Sequence, residues 1–196
     1  MSQTATNATI MPQGSPEQLQ VTLADAHAFM GQFQTITLAT CNAQGLPEAS
    51  YATFVQIGHK FYIYVSELAS HCANLQATGQ CTAMFIEKEE QAKPIFARRR
   101  LVLQCKASEI ARDQALFTQV MDAFREKFGK FIDMIAPLTD FHLYELSTEH
   151  GSFVSGFAKA FYLAGEDLSA ISHRNETGHQ NSDEKNAPAL QALAKA

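Results

Sequence analysis

Three consecutive arginines, Arg98-Arg99-Arg100, are the densest charge in an otherwise acidic chain, and they are the first residues in it with evident chemical use. On a strand, alternate side chains share a face, so Arg98 and Arg100 are expected to point together and Arg99 oppositely. Two guanidiniums on one face bind a dianionic ligand through paired charge-assisted hydrogen bonds. The plainer alternative is a solvated sheet edge whose arginines discourage pairing with another sheet. His173 and His179, six residues apart beyond the last expected element, form a second candidate. Neutral imidazole is the commonest metal ligand, and Gly178 frees the backbone to aim His179. A histidine near a terminus is otherwise simply exposed. Asp140, ahead of a strand, has turn capping as its ordinary role, but a carboxylate there also suits the outer N–H of a metal-bound imidazole. His71 opens a short helix, where its ordinary role is packing. His27, His59, His142 and His150 read as structural or exposed.

The four cysteines, Cys41, Cys72, Cys81 and Cys105, are separated by 31, 9 and 24 residues. These gaps match no zinc or redox spacing, and the thiols read as small core hydrophobes without an activating partner. Dinucleotide, phosphate-loop, serine-hydrolase and zinc-protease signatures are all missing. The net charge of −5 argues against a dedicated nucleic-acid binder, which needs a cationic field to displace phosphate counterions. The N-terminal MSQTATNATIMPQG has neither a basic start nor an apolar core, and no apolar run approaches the ~20 residues of a membrane span. These features predict a cytoplasmic protein with reduced thiols and no membrane insertion.

The elements that must position these groups are legible from periodicity. Residues 1–14 read as a flexible polar arm. Ser15-Pro16-Glu17 supplies a capping hydroxyl, a proline at the first helical position and a first-turn acid, and Leu19, Leu23, His27 and Met30 mark one helix face ending near Gly31. Residues 34–40, 47–57 and 61–66 alternate as strands, with turns at Asn42–Gly45 and Gly58–Lys60. A short helix over 68–78 stops at Gly79, and 81–87 returns to strand. Residues 95–110 read as one long strand crossing the arginines, and Leu116, Val120, Phe124 and Phe128 carry helical spacing up to Gly129. Three short strands follow at 141–146, 152–156 and 159–163, then a short helix over 167–173. The fold class is therefore mainly β (α+β), an antiparallel barrel with peripheral helices. The chain is read as an arm (1–14), a barrel domain (15–165), a ligand-bearing C-terminal segment (166–180) and a polar tail expected to be disordered (181–196).

The stretch from Thr37 to Pro47 followed by Ser50-Tyr51-Ala52 resembles the opening hairpin of the FMN-binding split barrel of the pyridoxamine 5'-phosphate oxidase superfamily. Further stretches resemble its HugZ/HutZ-type heme-utilisation proteins. These are Ser70–Leu75, Phe96–Leu101, Phe128-Gly129 with Ile132-Asp133, Gly151–Phe157 and the late Gly178-His179 pair. The likeness runs from about residue 33 to residue 180.

That resemblance implies a split-barrel homodimer that binds heme near the subunit interface and degrades it oxidatively, releasing iron. It implies His179 as the axial iron ligand, with His173 as second choice, because the 173–179 segment is longer than the family's. Asp140, contributed by the other subunit, would hydrogen-bond the axial ring. Arg100 and Arg98 would face the propionates, and His71 matches a pocket histidine. The implied partners are an external electron donor and a heme-delivery protein. The alternatives are a heme store or carrier that performs no chemistry, and an FMN-dependent oxidoreductase whose arginines hold the flavin phosphate.

Overall fold

The structure, a computed structural model, describes residues 15–165 and 167–174. The first helix, α1 (Pro16–Met30), opens with a reciprocal cap, Ser15 accepting from the Gln18 amide while the Gln18 side chain accepts from the Ser15 amide. Its buried residues are Leu23, Ala26, Phe29 and Met30, and Gly31 caps its end.

Strands β1 (Thr35–Cys41), β2 (Pro47–Ile57), β3 (Lys60–Ser66), β4 (Gln80–Ile86), β5 (Arg100–Ile110) and β6 (Phe141–Gly156) are all antiparallel to their neighbours. Their lateral order is β3-β2-β1-β4-β5-β6, and pairing of β3 with β6 closes the six into a barrel. β7 (Lys159–Ala164) and β8 (Ala170–His173) extend the sheet outward from β6. The barrel is split where β2 pairs with β3 only through Phe54–Ile57, leaving Pro47–Thr53 bonded to β1 alone. Phe29, Phe54, Phe61, Phe85 and Phe153 fill the interior, with centroid separations such as 5.4 Å for Phe54–Phe85. These offset and edge-on contacts let phenyl rings fill a core that has no Trp.

Two helices pack against the barrel, α2 (Ser70–Thr78) between β3 and β4 in sequence, and α3 (Ala115–Phe128) between β5 and β6. α3 lays Val120, Met121 and Phe124 over Val55, Tyr62 and Tyr64, so β3 is buried on both faces. A short α4 (Phe131–Ile135), which the sequence pattern does not signal, packs Ile132 into the same cluster. No described helix is long and apolar enough to cross a membrane.

Three expectations are corrected. The strand expected over 95–110 starts at Arg100, because Pro94 precedes a single 3-10 turn, Ile95–Ala97, that leaves Phe96 almost wholly exposed. The strands expected at 141–146 and 152–156 are one strand of 16 residues. The polar Ser147–Gly151 stretch resembles a turn, yet it stays paired to β5 through a bulge at Gln104/Cys105. Gly151 serves close approach rather than turning, since a Cβ there would lie 2.7 Å from Leu103 Cδ2 and 3.0 Å from the Val102 carbonyl. Finally, residues 170–173 form β8 rather than a helix, so His173 lies within a regular element.

Candidate functional site

The three arginines take three different environments. Arg98 precedes the strand and turns back, its Nε donating to the Glu87 carbonyl (2.6 Å) and its Nη1 to Glu89 Oε1 (3.1 Å). Arg99 donates from Nη2 to both Asp25 oxygens (2.9 and 2.8 Å), and its guanidinium lies 4.8 Å from the Phe29 centroid. It therefore fastens α1 to the barrel. Arg100, half-buried, donates to the Arg98 carbonyl (2.9 Å) and has no carboxylate partner among the described residues. The expectation that Arg98 and Arg100 occupy alternate positions of one strand face is thus corrected: only Arg100 is in the strand.

This difference makes a testable contrast. Arg99→Ala should destabilise the fold by about 2 kcal/mol, the usual effect of removing a charged partner from a partly buried pair with packing on an aromatic face. The measurement is urea unfolding, and stability equal to the parent protein would contradict the fastening role.

Arg100 heads a lateral row across the sheet. It pairs with Val154, which pairs with Ala160, whose carbonyl accepts from the Arg174 amide (2.9 Å). At ~4.8 Å per strand, Arg100 and Arg174 are about 14 Å apart along this row. The adjacent row, Leu101–Phe153–Phe161–His173, has three residues in the core. Alternation therefore directs Arg100, Val154 and Ala160 to the outer face. There Tyr162 is 47% exposed, with the Arg174 guanidinium 5.6 Å from its ring centroid. His173 lies on the inner face, its ring centroid 4.6 Å from that of Phe161. His179 lies outside the described residues.

His71 and Asp140 lie on either side of the β3–α2 connection. His71 is buried, and its Nδ1 is 3.0 Å from Ser50 Oγ. Burial pushes its pKa down, with the Glu48 charge opposing, so the neutral ring is favoured. Beside it Asn74 donates to Thr40 Oγ1 (3.0 Å) and Glu48 Oε2 (3.3 Å), and Ser70 bonds Glu48. Asp140 accepts from Ser66 Oγ (3.1 Å), while its carbonyl accepts from the Glu67 amide (2.8 Å). Arg112 holds the loop before Asp140, donating to the carbonyls of Ala136 (2.7 Å), Leu138 and Phe141 (3.0 Å) and to Tyr64 Oη (3.0 Å). Among the described contacts, Arg100, His71, Asp140 and His173 are not hydrogen-bonded to one another.

Sequence reasoning missed two groups here. Arg112 stands alone in a turn and carries no local pattern. His142 reads as an ordinary strand histidine, yet its Nδ1 is 2.6 Å from Glu109 Oε1 and its Nε2 is 2.7 Å from Glu67 Oε1. Both ring nitrogens face acceptors, which only the imidazolium satisfies. The Glu109 hydrogen bond chiefly raises its pKa, opposed by burial and reinforced by Glu67. A pKa raised by folding adds stability that is complete below the ordinary value near 6.5 and fades as pH rises through the folded value. His142→Gln should therefore lower unfolding free energy by about 1 kcal/mol near pH 6 and by much less near pH 9. Equal losses at both pH values, in urea titrations, would contradict the ion pair.

Two surface clefts, of about 680 and 970 Å³, open elsewhere on the barrel, and neither is lined by Arg98, Arg100, His71, Asp140 or His173. Among the described residues no group of three or more His, Cys, Asp or Glu side chains could hold a metal ion.

A closed six-stranded antiparallel barrel with a split seam, two flanking helices and a two-strand sheet extension places the molecule among the FMN-binding split barrels. The sequence profile of the pyridoxamine 5'-phosphate oxidase family matches residues 22–155, and the chain belongs to that family. It is 40% identical over 169 residues to heme oxygenase HutZ of Vibrio cholerae, covering 86% of this chain and 96% of that protein. A crystal structure of Vibrio cholerae HutZ, described as a heme storage protein, superposes with a TM-score of 0.61 over 64% of this chain and 89% of that one. Campylobacter jejuni ChuZ, 31% identical, superposes with a TM-score of 0.74 over 83% of this chain and 66% of its own.

Proposed function

We propose that this protein binds heme and degrades it oxidatively to release iron. The observation that carries the reading is Arg100, a half-buried guanidinium without a carboxylate partner among the described residues, in a chain 40% identical to a heme oxygenase. The exposed Ile95 and Phe96 lie in the turn just ahead of it. A cation beside apolar surface suits a flat apolar ring that carries two carboxylates, and the residues present fit heme in this respect.

In this reading heme is the substrate, and its iron supplies oxygen activation when reduced by an external electron donor. Arg100 anchors a propionate, with Arg98 contributing less because its donors already serve Glu87 and Glu89. His179 would hold the iron through one imidazole, which suffices because the porphyrin nitrogens supply most of the metal's ligands. The five residues from Arg174 to His179 span up to ~17 Å, enough to bring the ring over the Arg100 row. Asp140, already oriented by Ser66, accepts the outer N–H of that imidazole from a second subunit and raises its basicity. A homodimer follows from that division of labour, and the exposed Leu46, Tyr51 and Leu68 supply apolar surface for it. His71, buried and neutral, braces the β2–α2 side with Ser50. A cytoplasmic site of action, and a delivery protein that hands over heme, belong to the same proposal.

The test is aerobic incubation of the hemin complex with a reductant. Loss of the Soret band with release of iron supports degradation. A stoichiometric complex whose Soret band persists makes the protein a heme store or carrier. A yellow, flavin-loaded protein that takes up no hemin overturns the heme reading.

A further inference from the structure

The four cysteines are not equivalent in space. Cys41 is exposed, Cys72 is buried in α2, and Cys81 and Cys105 stand directly opposite each other on β4 and β5. The expectation that no thiol has a partner is corrected by that pair. Directly opposed residues of antiparallel strands have Cα atoms ~4.5 or ~5.5 Å apart, and both spacings fall in the range a disulfide spans, about 4.4–6.8 Å. The β4–β5 register is regular through Cys81 and Cys105; the bulge beside Cys105 faces β6 instead. Both side chains point to the same face, since both are buried while Gln80, Gln104 and Lys106 are exposed.

They are also reachable. Cys81 and Cys105 are 8% and 5% exposed, and both line the cleft of about 680 Å³. A small polar oxidant can enter such a cleft, whereas a bulky disulfide reagent meets Cys41 first. Cys105 Sγ donates to the Leu103 carbonyl (3.6 Å), and the neighbouring Cys105 lowers the Cys81 pKa against the opposing effect of burial, while that of Cys105 is raised. Cys81, the more exposed of the two, is taken as the attacking thiol, and Cys105, directly opposite, as the one that resolves it.

We infer that Cys81 and Cys105 form a reversible dithiol–disulfide site, oxidised by a hydroperoxide that enters the cleft. The Cys81 thiolate attacks one peroxide oxygen, the O–O bond breaks, and hydroxide leaves to take up a proton as water. The resulting Cys81 sulfenic acid is attacked by the Cys105 sulfur; the S–S bond forms, the S–O bond breaks, and hydroxide leaves with the Cys105 proton as a second water. Two thiols and one hydrogen peroxide thus give one disulfide and two waters. Both sulfurs are oxidised and both peroxide oxygens reduced. The site is independent of heme.

The experiment uses the full chain carrying Cys41→Ser, which removes the exposed thiol and leaves three. Native protein is treated with hydrogen peroxide, quenched, denatured and titrated for free thiols, then digested for mass spectrometry. The expected result is a fall from three thiols to one, restored to three by dithiothreitol, with the Cys81 and Cys105 peptides linked within one chain. In Cys105→Ser protein, Cys81 should instead be trapped by dimedone as a sulfenic acid. Three thiols surviving treatment, over-oxidation that dithiothreitol does not reverse, or linkage through Cys72 would each overturn the inference. The parent chain decides the matter on the same peptides if a serine variant fails to fold.

Discussion

His179→Ala is expected to abolish the histidine-ligated spectrum of the hemin complex. In the proposed site one imidazole is the sole protein ligand to iron, so its removal takes away the whole of the protein's ligation. His173 is not expected to replace it, because its ring lies on the inner face of β8 against Phe161. His173→Ala should therefore leave the spectrum unchanged. Added imidazole should restore the parent-like spectrum to His179→Ala, separating lost ligation from lost folding. An unaltered Soret band and ligand-field signature in His179→Ala would transfer the axial role to His173 or to another group. Asp140→Ala should change the rate of heme loss more than hemin affinity, since it acts through the ligand.

Arg100→Ala is expected to weaken hemin binding by roughly 10- to 100-fold. A charge-assisted hydrogen bond to a carboxylate contributes about 1.5–3 kcal/mol, and each 1.4 kcal/mol is a factor of ten. The effect should fall on affinity and not on stability, since Arg100 makes one hydrogen bond, to the Arg98 carbonyl, and no ion pair among the described residues. Arg98→Ala should change affinity much less, because its guanidinium already serves the Glu87–Glu89 turn. Equilibrium hemin titration of the variants checks this, and a parent-like dissociation constant for Arg100→Ala would remove it from the site.

The strands of the barrel were legible because their alternation is strong: Ile36, Leu38 and Thr40 are buried, as period two requires. The start of α1 was equally plain from Ser15, Pro16 and Glu17, while the reciprocal bond from Gln18 was not. Failures occurred where tertiary contact overrides a local signal. Gly151 looks like a turn residue, but it is a glycine because β5 passes too close for a side chain. The arginine triplet looks like alternation on a strand, but Pro94 and the Ile95–Ala97 turn delay the strand to Arg100. The candidate site was legible only by residue type. Which arginine keeps its charge available depends on Asp25, 74 residues away from Arg99, and on Glu89, and no local pattern encodes that pairing. The Cys81–Cys105 pair is likewise set by strand register, across 24 residues of sequence.

The single 16-residue ribbon β6 belongs to two neighbourhoods at once, its first half closing the barrel against β3 and its second half carrying β7 and, beyond it, β8. Such a shared stave joins the inner drum to the outer panel through one continuous strand, irregular only at the bulges near Glu149 and Gly156. A tug on the panel, where Arg174 leads toward the last residues, is passed along hydrogen-bonded backbone into the Phe-lined interior. In the proposed site, grip on a bound molecule would be felt in the packing of the drum through that shared strand.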